Sequence, residues 1–94
     1  MNIETSVITF EISNTFEEWV KIFDSEDTDN FHKSIGLKPI YRGKNLTNPK
    51  EIIVIHQGKE GIAKHIFSDP EIIKKIECSG HIYNTTKISS WLYE

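Results

Sequence analysis

Apolar and polar residues alternate near the start of the chain: Ile8, Phe10 and Ile12 interleave with Val7, Thr9 and Glu11. Successive side chains on a pleated strand point to opposite faces. The pattern therefore predicts a strand over about Ser6–Ser13 with one wholly apolar and one mixed face. The period then lengthens. Phe16, Trp19, Val20 and Phe23 fall at the spacing of one helical stripe. Thr15 and Glu18 form a capping pair at its start, each side chain placed to take a free amide of the first turn. Asp24, Glu26, Asp27 and Asp29 interrupt the stripe, Phe31 and Ile35 resume it, and Gly36 is placed to stop it. Residues 16–35 thus read as two helical pieces or one kinked helix.

Leu37–Gly43 reads as a short strand, and Pro39, which has no amide to donate, puts it at a sheet edge. Asn45, Asn48 and Pro49 mark a turn. Glu51–Gln57 is the strongest strand, and its apolar run Ile52, Ile53, Val54, Ile55 suggests burial on both faces. After Gly58 and Gly61, the residues Ile62, Ala63, Ile66 and Phe67 open a second helical stripe. Ser68 as cap, Pro70 early in the helix and Glu71 give a further start signal, and Ile72, Ile73 and Ile76 carry the apolar face on to Gly80. A last strand runs from about Ile82 to Tyr93.

The order strand, helix, strand, strand, helix, strand predicts an α+β chain: a ferredoxin-like βαββαβ sandwich. Its four-stranded antiparallel sheet would run fourth, first, third, second, with the helices on one face. That leaves the other sheet face bare. The third strand is apolar on both sides, and simple alternation places Tyr83, Trp91 and Tyr93 on one face of the last strand. A second copy packed by two-fold symmetry is the simplest cover. A homodimer is expected, with Tyr83, Trp91 and Tyr93 as interface candidates.

Composition narrows the picture. Ninety-four residues suit one domain, spanning 1–94, with a modest core of its own. No apolar run approaches the ~18–20 residues of a membrane span, so no membrane partner is expected. The first residues show no basic stretch leading into an apolar one, as a secretory signal would. The single cysteine, Cys78, has no internal partner and suits a reducing cytoplasm. A net charge of −3 without a basic patch argues against nucleic acid. With sixteen Ile and ten Lys but one Arg, Arg42 stands out, because a guanidinium offers a planar fork for a carboxylate or phosphate that a lysine lacks. Glu51, an acid of a second subunit, or a ligand are its candidate partners. Tyr41 should face away from it.

The strings TFEEWVKIFDSED, FHKSIGLKPIYRG, IIVIHQ and SGHIYNTTKISSW resemble an uncharacterised family of small proteins found mainly in cyanobacteria. The layout as a whole resembles the dimeric α+β barrel superfamily, in which two ferredoxin-like sheets pack into a barrel. That resemblance implies a fold and a dimer. It does not imply one activity, since the superfamily includes cofactor-independent oxygenases, haem-degrading enzymes, isomerases and binding proteins.

The candidate chemistry rests on histidines. His32, His56, His65 and His81 are 24, 9 and 16 residues apart, which matches no compact metal motif. No metal or cofactor is expected. Topology places His32 and His56 near one end of the sheet and His81 a strand length away. His32 and His56 are the catalytic candidates, and Trp19, His32, Arg42 and His56 the candidate ligand-binding residues, with Phe23 and Phe31 able to line the same cleft. The six carboxylates between Glu17 and Asp29 lack the loop pattern of a calcium site. The leading expectation is a small-molecule-binding or regulatory protein. The alternatives are a cofactor-independent monooxygenase or isomerase acting on a small aromatic or polyketide-like substrate, with His32 or His56 as acid–base, and a structural interaction module. An enclosed pocket above roughly 300 Å³ with one of these histidines in its wall would favour binding or catalysis.

Overall fold

The computed structural model of the chain describes residues 2–93. Its elements are β1 (Ile3–Ile12), α1 (Phe16–Phe23), α2 (Glu26–Ser34), β2 (Lys38–Lys44), β3 (Glu51–Lys59), α3 (Ile62–Ile66), α4 (Pro70–Glu77) and β4 (His81–Leu92). All neighbouring strands are antiparallel, in the order β2-β3-β1-β4. This is the expected split βαβ sheet with β2, the strand containing Pro39, at one edge. Each helical crossover consists of two short helices.

The helix boundaries follow local chemistry. Thr15 Oγ1 accepts the Glu18 amide at 3.2 Å, and Glu18 Oε1 accepts the Thr15 amide at 3.2 Å, so the capping pair forms. The chain breaks at Asp24, and Ser25 starts α2 afresh by accepting the Thr28 amide at 3.2 Å. Of the two possibilities for residues 16–35, two separate helices are realised. At α4 the cap is Asp69 and not Ser68. Pro70 occupies the first turn, and Asp69 Oδ1, directly before it, takes the Glu71 amide at 2.9 Å. Ser68 instead donates to the His65 carbonyl.

One sheet face packs under the helices. Ile8, Phe10 and Ile12 of β1 and Ile52 and Val54 of β3 are buried there together with Trp19. Leu37, Ile62, Ile66 and Ile72 form a second buried cluster beneath α3 and α4. The opposite face carries Ile3, Thr5, Val7 and Thr9 of β1, paired with Lys59, Gln57, Ile55 and Ile53 of β3. Ile53 and Ile55 are only half-buried, so the double burial suggested by their strand is not completed within the chain.

The last strand departs from simple alternation. Ile82 pairs with Glu11 and Lys87 with Thr9, so residues 83–86 stand against Phe10 alone. Both pairs lie on the open face, yet Ile82 and Lys87 are an odd number of residues apart. The bulge therefore reverses which residues face which way. Trp91 pairs with Thr5 on the open face, 63% exposed, and Tyr93, two residues on, is 71% exposed. Tyr83 is turned to the helix side, where its hydroxyl donates to the Phe67 carbonyl at 3.2 Å and its ring stacks on Phe67. Tyr83 therefore does not share a face with Trp91 and Tyr93. Gly80 makes the turn into this strand. Its φ of +100° favours glycine, and a Cβ there would lie 2.3 Å from Asn14 Oδ1.

Candidate functional site

The two core clusters do not merge completely. Between them lies a partly open cavity of about 180 Å³, floored by Ile8, Phe10, Val54, His56 and His81 and roofed by the helices. Trp19 and Phe23 of α1 and Phe31 and His32 of α2 form one wall, and Phe67 and Ile76 another. Trp19 stacks on Phe23 with centroids 4.7 Å apart and meets Phe10 edge-on at 5.8 Å, so the aromatic wall is held in place by packing. Asp27 and Lys75, both exposed, mark where the cavity meets solvent, and Lys75 Nζ sits 4.8 Å from the Phe31 ring centroid.

His56 is the polar feature of the floor. It is 4% exposed, and its Nδ1 is enclosed without a hydrogen-bond partner. Burial, reinforced by the proximity of His32, pushes its pKa down to about 4, so the ring is neutral at pH 7. The His56 backbone lies close enough to the ring to offset part of this lowering, and Nδ1 itself is enclosed by protein atoms. Two residues away along the same sheet face lies Glu4, paired with Gly58, while Ser6 pairs with His56. Burial pushes the Glu4 carboxyl up. Hydrogen bonds from the Ser6 hydroxyl at 2.7 Å and from the Gly61 and Ala63 amides at 2.8 and 3.4 Å outweigh it, and the net shift is downward. Glu4 thus closes the start of α3 as a buried anion near His56.

His81 forms the other end of the floor. Ile12 is its strand partner, six positions along β1 from Ser6, which places it on the order of 20 Å from His56 along the sheet. Its ring lies parallel to Phe10 with centroids 3.7 Å apart, and its Nε2 meets Thr86 Oγ1 at 2.7 Å. Burial lowers its pKa to about 4. The bulge in β4 is what brings Thr86 back to this ring. No cluster of three metal-capable side chains occurs among the described residues.

Of the four ligand-binding candidates, Trp19, His32 and His56 come together in the cavity wall, as do Phe23 and Phe31. Arg42 does not join them. It faces the helix side, as Tyr41 faces the open side, but its guanidinium is taken by Asp24 at the end of α1, with Nε–Oδ1 2.8 Å and Nη2–Oδ2 2.5 Å. Both side chains are more than a third exposed, so the pair contributes no more than about 1 kcal/mol. Its role is to tie β2 to the α1–α2 junction. Sequence reasoning missed Lys75, Ser79 and Phe67 in the wall and His81 in the floor. The spacing of Lys75 and Ser79, one helical turn apart beside the apolar stripe, was the available signal for the rim.

The family described as a domain of unknown function (DUF3764) matches residues 3–93. No curated protein matches the chain. Among solved structures, a monooxygenase from the gene ActVA-Orf6 of Streptomyces coelicolor, in complex with nanaomycin D, superposes with a TM-score of 0.61 at 13% identity, covering 97% of this chain and 87% of that one. A NIPSNAP family protein of unknown function from Agrobacterium tumefaciens gives 0.55 at 12% identity, over 97% and 86% of the two chains. A dimeric ferredoxin-like protein from an uncultured marine organism gives 0.52 at 12% identity, over 98% and 86%. These likenesses show a shared ferredoxin-like α+β fold.

Proposed function

This chain belongs to the family described as a domain of unknown function (DUF3764), and for it we propose a homodimeric protein that binds a small, flat organic molecule between helices and sheet. The observation that carries this reading is the cavity of about 180 Å³, lined by aromatic and aliphatic side chains around His56 with its unpartnered Nδ1. An apolar cavity of about 150 Å³ accepts benzene, so this one suits a single substituted ring. It does not reach the enclosed volume of ~300 Å³ expected of a binding or catalytic pocket, so the reading rests on the lining and not on size, and a multi-ring polyketide does not fit this conformation. The neutral His56 supplies one polar contact to a hydroxyl or carbonyl on the ring.

The open sheet face supports the dimer. Val7, Ile53, Ile55, Tyr41 and Trp91 lie on it, an apolar surface that a second sheet can cover. One structural neighbour is described as a dimeric ferredoxin-like protein. No helix is long and apolar enough to cross a membrane among the described residues. The lone exposed Cys78 supports a reducing, cytoplasmic location.

The test uses Trp19 as reporter. The chain has two tryptophans, so Trp91→Phe leaves Trp19 as the sole one. Titration with 4-nitrophenol should quench its fluorescence saturably, with Kd of about 0.1–1 mM for a ligand of this size. Val54→Phe, which fills the cavity, should abolish saturation while circular dichroism stays native. Linear quenching that is the same in both proteins would contradict the reading. Catalysis without a cofactor in the same cavity is the second reading, favoured by a neutral imidazole, His56, in the cavity lining. Consumption of ligand with oxygen uptake or isomerisation separates it from binding alone.

A further inference from the structure

Among the described residues, Lys75 is the one lysine or arginine in the cavity lining. It follows Glu71 by one helical turn on α4, and a Glu four residues before a Lys is its ready ion-pair partner. Yet Lys75 forms no ion pair with Glu71 or with any other described residue. Its Nζ sits instead 4.8 Å from the ring centroid of Phe31 on α2, across the opening. Phe31 belongs to the aromatic wall, so the ammonium stands at the edge of the space a bound ring would fill. An aromatic face attracts a cation without taking up its N–H donors as an oxygen would, so they stay free for an anion.

The rest of the lining offers an anion little. His56 and His81 are neutral in the floor at pH 7, and the buried Glu4 carboxylate stands near His56. Thr28 Oγ1 donates to the Ile22 carbonyl at 2.6 Å, and Ser79 Oγ donates to the Ile76 carbonyl at 2.6 Å, so both rim hydroxyls have spent their protons. A negative charge on a bound molecule is therefore unsupported at the floor and supported at the mouth. Asp27 of α2, beside the same opening, is the one opposing charge in the lining among the described residues.

We propose that the molecule bound here is an aromatic monocarboxylate, with its ring in the cavity and its carboxylate at the mouth on Lys75. This deepens the binding reading and rests on it. The ring meets Trp19, Phe23 and Phe31, while the carboxylate keeps part of its contact with water and gains a charged donor. Lys75 is thus the residue that sets specificity for the acid.

Two ligands of nearly the same shape separate charge from fit: 4-nitrobenzoate and its neutral amide, 4-nitrobenzamide. Both quench tryptophan, so titration of the Trp91→Phe protein at neutral pH and low salt reads each on Trp19. The acid should bind about 5- to 10-fold more tightly than the amide, the scale of one charge-assisted contact in a partly exposed setting. The preference should shrink in about 0.5 M NaCl. Lys75→Gln should abolish it while the Kd of the amide stays unchanged, and Lys75→Arg should retain it. Lys75 is exposed, so neither substitution disturbs the core. Asp27→Asn removes the opposing charge and should raise affinity for the acid about twofold; a fall overturns the placement of the carboxylate at this mouth. Saturable binding of the amide with no preference for the acid overturns the carboxylate assignment and leaves the cavity reading standing. A preference that persists in Lys75→Gln overturns the role of Lys75. No saturation with either ligand overturns the cavity reading and this one with it.

Discussion

Acidification from pH 7 to pH 4 should cost this protein several kcal/mol of stability, and replacing two histidines should remove most of that slope. His56 and His81 are 4% and 5% exposed, and both pKa values are lowered from 6.5 to about 4. The folded state holds these rings neutral, whereas the unfolded chain protonates them below its own pKa. Their contribution is therefore fully present above about pH 6.5 and is lost as pH falls toward 4. A shift of this size corresponds to on the order of 2–3 kcal/mol per ring at pH 4. For a small domain with a total near 5–15 kcal/mol, two such rings bring acid unfolding into reach. Glu4 and Asp24, whose carboxyls titrate low, add losses of the same sign at still lower pH. Urea melts at pH 7, 5.5 and 4.5 measure the effect. In His56→Phe/His81→Phe the midpoint should vary far less across that range. An unchanged slope in the double variant would mean that neither ring is buried as described.

The second large effect concerns the open sheet face. Ile55→Lys places a charge at the centre of an apolar surface that includes Val7, Ile53, Tyr41 and Trp91. If two copies pack there, burying that ammonium should cost about 2–4 kcal/mol and raise the dimer dissociation constant by roughly 30- to 1000-fold. Light scattering at micromolar concentration should then report a monomer for Ile55→Lys or Trp91→Glu and a dimer for the parent chain. Tyr83 is the internal control. It points to the helix side, so Tyr83→Glu should leave the mass unchanged even where it loosens the packing on Phe67. Dissociation by Tyr83→Glu but not by Ile55→Lys would place the interface elsewhere.

These residues also show how far the sequence could be read. Strand β1 was legible because it buries one face, and a period of two records that directly in Ile8, Phe10 and Ile12. Strand β3 was legible as the apolar run Ile52–Ile55, but which of its faces is buried within the chain was not, since Ile53 and Ile55 are as apolar as Ile52 and Val54. The start of α1 was legible because Thr15 and Glu18 encode their own hydrogen bonds. The bulge at residues 83–86 was not, since alternation can be followed only while no residue is inserted. One reversal moved Tyr83 to the opposite face and folded Thr86 back onto His81. The partner of Arg42 was hidden for a different reason. Asp24 is distant in sequence and reaches Arg42 only because the first crossover breaks into two helices at that point. The cavity itself is a failure of two core clusters to meet, which depends on side-chain packing across four helices and leaves no mark in any local pattern.

The gap between the two clusters is the binding site proposed above, with His56 in its floor. A crystal structure of the protein grown with saturating 4-nitrophenol tests it most directly. The account predicts a ring seated between Trp19 and the sheet, with its hydroxyl within hydrogen-bond distance of a His56 nitrogen. A closed core without ligand density, in which His56 bonds to protein atoms through both nitrogens, would contradict it.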